Sequence, residues 1–371
     1  MRTLVWHWGR RGAGPIFAAR LAAALNSLPG QSVALSLAAG AEILSEPDAP
    51  ACDWREPTYE TTHGFIAQRI VSPFLRPRTE AHLRRLMPDI AICAMPALLD
   101  GRMLAGLRAR RIGYAVIVHD AEAHPGDALS FRALDQNQIL RGARHLFCLS
   151  RHVESALRHQ GHGINGQGLT KLWHPPIGFS AAVPAATPTL RPRILHFGRL
   201  LPYKGLDMLA DALDLLGESR SFDVRICGEG PNSSSLSRLN AMPGVSVERR
   251  WVADSELPSL LAWADALVLP YREASQSGVA ALALAAGRHV LATSVGGLLE
   301  QLGNQPHALL CAPNPAAIAQ GLVELTQRLA QVAPPPVDAA ADWRSMAAAM
   351  VSAIANTPVQ MPAGTRFAPA E

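Results

Sequence analysis

Arg191-Pro-Arg-Ile-Leu-His-Phe-Gly198-Arg199-Leu-Leu-Pro-Tyr-Lys204-Gly-Leu-Asp207 is the stretch on which the reading of this chain turns. An apolar run with strand character breaks at a glycine, and an arginine, a lysine and the start of a helix follow at once. Glycine at a strand end lets backbone approach a ligand closely, and a helix opening near Lys204 offers unpaired N–H groups and the positive end of its dipole. Arg199 supplies a planar fork for phosphate oxygens, and Lys204 a mobile point charge. Standing alone, the two cations would read as solvated surface groups beside an ordinary turn. Their surroundings decide between the two readings.

Outward from that stretch, short β-rich apolar runs alternate with helix-length amphipathic ones, the pattern of parallel sheets with crossover helices. Strands are expected near Ile194, Val224, Val245, Leu267, Val290 and Leu309, with a helix over Ala316 to Ala330. Before the Pro-rich segment Ser180 to Pro192, strands are expected at Leu4 to Trp8, Ser32 to Leu37, Asp89 to Ala94, Tyr114 to Val118, His145 to Leu149 and Lys171 to His174. Helices there fall at Pro15 to Leu28, Leu129 to Arg141 and Arg151 to His159. The chain of 371 residues is longer than one core usually organises. The expected domains are residues 1–180 and 190–330, then a helix over 338–355 and a disordered tail over 356–371. Two open parallel sheets bring their carboxyl strand ends to one cleft, where ligands of such sheets bind.

Three further segments of the second half carry the pattern: Arg-Ile-Cys-Gly228-Glu229-Gly230-Pro231, Ala-Asp-Ala-Leu-Val-Leu-Pro-Tyr-Arg272-Glu273-Ala-Ser275-Gln276-Ser277-Gly278, and Ala-Ala-Gly287-Arg-His-Val-Leu-Ala-Thr-Ser-Val-Gly-Gly-Leu-Leu-Glu300. In this order and spacing they resemble the donor-binding half of the GT-B family of retaining, nucleotide-sugar-dependent glycosyltransferases, many of which build bacterial polysaccharides. The resemblance covers roughly residues 190 to 330 and extends more weakly to the first half. It implies an α/β fold of two Rossmann-like domains facing a central cleft, with the terminal helix packed back on the first domain.

The resemblance also assigns roles. His119, at the end of Tyr-Ala-Val-Ile-Val-His119-Asp120, would face the donor sugar. Gly198, Arg199, Lys204, Glu229, Val252, Ser275, Gln276, Ser277 and Gly278 would hold the donor, with Trp251 and Val252 near the base. The loop of Gly12 and Gly14 would line the acceptor side. Family members often carry two glutamates seven residues apart, one touching the sugar and one gripping the ribose. Here those positions hold Ala274 and Leu282, so Glu273 is expected to replace the first, and the second has no substitute. Glu273 also reads as a surface partner of Arg272. His119, Asp120 and His124 suggest a metal site, but the resemblance implies pyrophosphate held by cations and helix ends, without cofactor or metal ion.

Charge is unevenly spread: residues 1–180 carry 20 Lys and Arg against 14 Asp and Glu, and residues 181–371 carry 14 against 16. The basic first half suggests an anionic partner, a membrane surface or a phosphate-bearing acceptor. No basic run or motif indicates nucleic acid. Phe65 to Arg85 mixes bulky apolar residues with arginines, as a membrane-surface element or as a solvated helix over the core. The five cysteines include no Cys-x-x-Cys pair, and Cys93, Cys148, Cys227 and Cys311 fall in apolar runs, as buried thiols of a reducing compartment do. No signal-like or membrane-spanning run is present, and the expected location is cytoplasmic.

The function expected is transfer of a sugar from a nucleotide donor to a glycan, lipid-linked or protein acceptor, with retention at the anomeric carbon. The alternatives are a non-catalytic nucleotide- or sugar-binding module, given the missing glutamate, and a nicotinamide-dependent oxidoreductase built on the Gly12 loop. The spacing Gly12-Ala-Gly14-Pro-Ile-Phe lacks that fingerprint's third glycine.

Overall fold

A computed structural model describes residues 1–125, 136–178, 183–184, 189–329 and 337–358. It contains two parallel sheets. The first comprises β1 (Arg2–His7), β2 (Ser32–Ala38), β3 (Trp54–Glu56), β4 (Ile90–Cys93), β5 (Gly113–Val118), β6 (His145–Cys148) and β7 (Gly168–Lys171), in spatial order β3-β2-β1-β4-β5-β6-β7. The second comprises β8 (Arg193–Phe197), β9 (Asp223–Gly228), β10 (Val245–Arg249), β11 (Ala266–Leu269), β12 (His289–Thr293) and β13 (Ala308–Cys311), in order β10-β9-β8-β11-β12-β13.

Both sheets reverse winding direction at an interior pair, β1 and β4 in the first, β8 and β11 in the second. Loops leaving such a pair run to opposite faces and open a crevice at the carboxyl edge. The two crevices face each other. The central strands are apolar on both faces, as β4 (Ile-Ala-Ile-Cys) and β11 (Ala-Leu-Val-Leu) show, because helices cover each side.

The helix Ala339–Asn356 starts at Asp338, whose carboxylate accepts from the amides of Ala340 and Ala341, and lies on the first lobe. Trp343, Met346, Met350 and Ile354 join the core around Phe17, and the Trp343 indole donates to the Pro176 carbonyl at 2.8 Å. Arg144 clamps the far end through the Ile354 carbonyl.

Two strands differ from expectation. The seventh strand runs over Gly168–Lys171 rather than the expected Lys171 to His174, because Pro175 and Pro176 bias the preceding backbone and cannot donate to a ladder. The short β3 was not expected; it is fixed from outside, since Glu56 is buried against Arg102 at 3.3 Å and accepts from the Trp54 indole at 2.7 Å. The expected helix Leu129 to Arg141 is described only over Gln136–Arg141. Most of the Pro-rich linker and residues 359–371 of the expected tail lie outside the described residues. Cys93, Cys148 and Cys227 are buried, Cys311 is half-buried, and all are free thiols.

Candidate active site

A cavity of about 520 Å³ lies between the lobes, where the two crevices meet. The first lobe lines it with Arg11 to Gly14 after β1, Met95 and Pro96 after β4, and His119, Asp120 and His124 after β5. From the second come Gly198, Arg199, Tyr203 and Lys204 after β8, Gly228 and Glu229 after β9, Trp251, Val252 and Asp254 after β10, and Gln276 to Val279 after β11. The expected site residues therefore share one cavity, with two exceptions. Glu273 and Ser275 are not among the lining residues.

Gly198 has a φ of +122°, which a residue with a Cβ rarely adopts, and this aims the loop after β8 at the cleft. Arg199 is exposed and donates to the Tyr203 hydroxyl at 3.0 Å. Lys204 does not open the following helix. It ends a short turn (Pro202–Lys204), Gly205 intervenes with a φ of +67°, and the helix Leu206–Leu216 begins beyond it. That helix start carries Asp207, which is paired with Arg272, so it is not the anion site its sequence suggested. Lys204 is also not a mobile charge: its ammonium sits 3.7 Å from the centre of the Tyr271 ring and 4.8 Å from that of Tyr203. Burial, with the charge of Arg199, pulls its pKa down to about 7, while Asp120 across the cleft opposes the change. An ammonium held in this way gains more from an incoming dianion than an exposed lysine does.

Ser277 caps the helix Gly278–Ala285 by accepting from the Ala280 amide at 3.2 Å. Its own amide is not open to a ligand as expected, because it donates to Gln301 Oε1 at 2.9 Å. Ser275 is buried beneath the loop, with its side chain hydrogen-bonded to Asp120. Leu282, at the ribose-gripping position, forms apolar cavity wall.

His119 is buried with both nitrogens engaged: Nε2 lies 2.9 Å from the Ala94 carbonyl, and Nδ1 lies 3.0 Å from the Gln276 amide nitrogen. The ring therefore donates from Nε2 and accepts at Nδ1. Burial, helped by His174, pushes its pKa down to about 4, so it is neutral at physiological pH. Glu273 is not a partner of Arg272. Half-exposed at the cavity rim, it bonds His124 Nδ1 at 2.9 Å. Gly14 has a local reason: a Cβ there would lie 2.3 Å from the His7 ring.

Sequence reading missed Tyr203 and Tyr271 as the cage around Lys204, since nothing in their spacing marks them. It also missed Asp254, whose Oδ2 is buried without a hydrogen-bond partner. Burial, with the charges of Glu42 and Glu46 from the first lobe, raises the Asp254 pKa to about 7. Trp251, expected near a base, also closes the cleft by donating to Glu42 at 3.2 Å and lying under Arg11. No group of three or more His, Cys, Asp or Glu suited to a metal ion occurs among the described residues.

Residues 191–328 match the family model described as glycosyl transferases group 1. That match covers most of the second lobe, and over it the chain is similar to that family. Among characterised relatives, 2-deoxystreptamine glucosyltransferase of Streptomyces kanamyceticus is 28% identical over 158 residues, 42% of this chain and 39% of its own length. GDP-mannose:glycolipid 4-beta-D-mannosyltransferase of Xanthomonas campestris is 29% identical over 170 residues, 42% of this chain and 46% of its own. The matches thus span less than half of either relative. Among solved structures, HepE of Anabaena in complex with UDP and glucose superposes with a TM-score of 0.64 at 16% identity, covering 96% of this chain and 97% of that one. The whole chain therefore has the GT-B fold.

Proposed function

We propose that this protein is a glycosyltransferase that moves a sugar from a nucleotide donor to a glycan, lipid-linked or protein acceptor, with retention at the anomeric carbon. One observation carries the reading: Arg199 and the caged Lys204 converge on an interdomain cavity whose opposite wall holds His119. Cleavage of the sugar–phosphate bond leaves negative charge on the departing diphosphate. Two fixed cations whose hold strengthens with that charge lower the barrier without a metal ion. The relatives' names and the UDP bound by HepE support a nucleotide-sugar donor. The base would lie along Trp251, Val252 and Asp254, two strands over from Gly198.

The acceptor side suggests a cytoplasmic enzyme working at a membrane surface. No helix among the described residues is long and apolar enough to cross a membrane. Thr62–Leu86 nevertheless forms consecutive helical turns that expose Ile66, Ile70 and, at 81%, Phe74, beside Arg69, Arg76 and Arg78. Exposed apolar side chains on the same helical stretch as arginines suit the interface of an anionic bilayer, although Arg76 is itself paired with Glu80.

Arg199→Ala and Lys204→Ala, assayed separately for donor turnover, test the reading. Each should lose about 3 kcal/mol, roughly a hundredfold in rate, against well under 1 kcal/mol for a solvated surface charge. Near-normal turnover in both would remove the proposed diphosphate site.

A further inference from the structure

His124 leaves the first lobe immediately after β5 and reaches the second lobe at two points. Its Nε2 is 3.0 Å from Asp120 Oδ1 on its own lobe, and its Nδ1 is 2.9 Å from Glu273 Oε1 on the other. Its ring stacks on Tyr203, also of the second lobe, with centroids 4.6 Å apart and planes 16° from parallel. An imidazole that bonds a carboxylate at each nitrogen must donate from both, so the ring is an imidazolium. We propose that His124 is a cross-cleft positioning residue: its two N–H groups join Asp120 to Glu273 when the lobes close, so that closure itself orients Glu273 at the cavity rim.

Neighbouring groups support this role. Burial works against the charge on His124, but the hydrogen bonds and charges of Asp120 and Glu273 together outweigh it and raise the pKa. Asp120 shows the reciprocal change. Burial opposes ionisation there, but the hydrogen bond from His124, with its charge, outweighs it and holds the carboxyl below its usual pKa. From the loop after β8, Arg199, Tyr203 and Lys204 face the same corner; Arg272, beside Glu273, is turned away to Asp207. Because the raised pKa belongs to the closed form, closure is favoured while His124 is protonated. It weakens as pH rises through that value.

Other bonds also cross the cleft. Gln276 meets a neutral His119, and Glu300 meets Lys171 and the Arg151 amide. Two charges there do change in the same pH range: ionisation of Asp254 near Glu42 and Glu46 opposes closure at higher pH, and Lys204, with its pKa at about 7, loses its attraction to Asp120 across the cleft.

The test is small-angle scattering of the ligand-free chain at pH 6 and 8.5, carried out on an Asp254→Asn, Lys204→Met background to remove those contributions. The radius of gyration should rise by roughly 5% between the two pH values, the scale of a hinge opening. Adding His124→Phe, which keeps a ring against Tyr203 but has no N–H, should give the larger radius at both pH values. Glu273→Ala, which removes the accepting oxygen, should do the same if His124→Phe folds poorly. A radius unchanged by pH, or a pH response surviving both substitutions, overturns the proposal. The kinetic consequence of orienting Glu273 rests on the donor reading above, whereas the scattering result does not, so the two can fail separately.

Discussion

In the second lobe the cleft residues lie on the loops that follow the strands: Arg199 directly beyond Gly198 after β8, Glu229 next to the end of β9, and Gln276 and Ser277 on the longer loop after β11. The first lobe also delivers its cleft residues from strand ends, His119 after β5 and Met95 after β4, but holds them through partners elsewhere in the molecule. The His7 ring fills the space beside Gly14, and His119 is fixed by Ala94 and by Gln276 of the other lobe; outside the cavity lining, β3 is likewise held by Arg102, 46 positions beyond Glu56. The donor-side wall is thus set by backbone turns at a winding reversal, and the opposite wall by long-range side-chain contacts. This difference fits a family model that matches residues 191–328 and does not extend into the first half.

The largest expected effect probes that dependence on distant contacts. Glu56→Ala would leave the guanidinium of Arg102, at 1% side-chain exposure, without its carboxylate. Breaking such a pair costs about 3–5 kcal/mol, and urea denaturation should show the loss. Hydrogen exchange should place the loosening in β2 and β3 and spare the second lobe. A cost below about 1 kcal/mol would mean that the first wall does not depend on this contact.

A smaller effect is expected where the second wall departs from its own local rule. Asp254 is perturbed by Glu42 and Glu46 of the first lobe, and its pKa of about 7 lies above the usual carboxylate range near 4. In such a case ionisation disfavours the folded form. The penalty is absent below about pH 4, grows between pH 4 and 7, and is complete above that. Asp254→Asn should therefore stabilise the protein at pH 8 by on the order of 2 kcal/mol, allowing for the water Asp254 still meets, and by nothing at pH 4. An equal gain at both pH values would show that charge is not the cause.

The same contrast explains how much was legible in the sequence. Strands, crossover helices and the winding order of the second lobe follow from local apolar runs and glycines, and so does the convergence of Gly198, Arg199 and Lys204 on a cavity. Side-chain state was not legible. Lys204 is caged because Tyr203 and Tyr271 meet there in space, although 68 positions separate them. Ser277 lost its free amide to Gln301, and Glu273 went to His124 rather than to its neighbour Arg272. Of these, only the bond of Glu273 to His124 crosses between the lobes; the others join segments of the second lobe far apart in sequence, which no local pattern encodes.

The account centres on a diphosphate held between the lobes, and a crystal structure with UDP or GDP bound tests it most directly. The phosphates should lie within about 4 Å of the Arg199 guanidinium and the Lys204 ammonium, near the start of the helix Gly278–Ala285. Phosphates bound outside the interdomain cavity, with Lys204 still enclosed by Tyr203 and Tyr271 and contacting nothing, would contradict it.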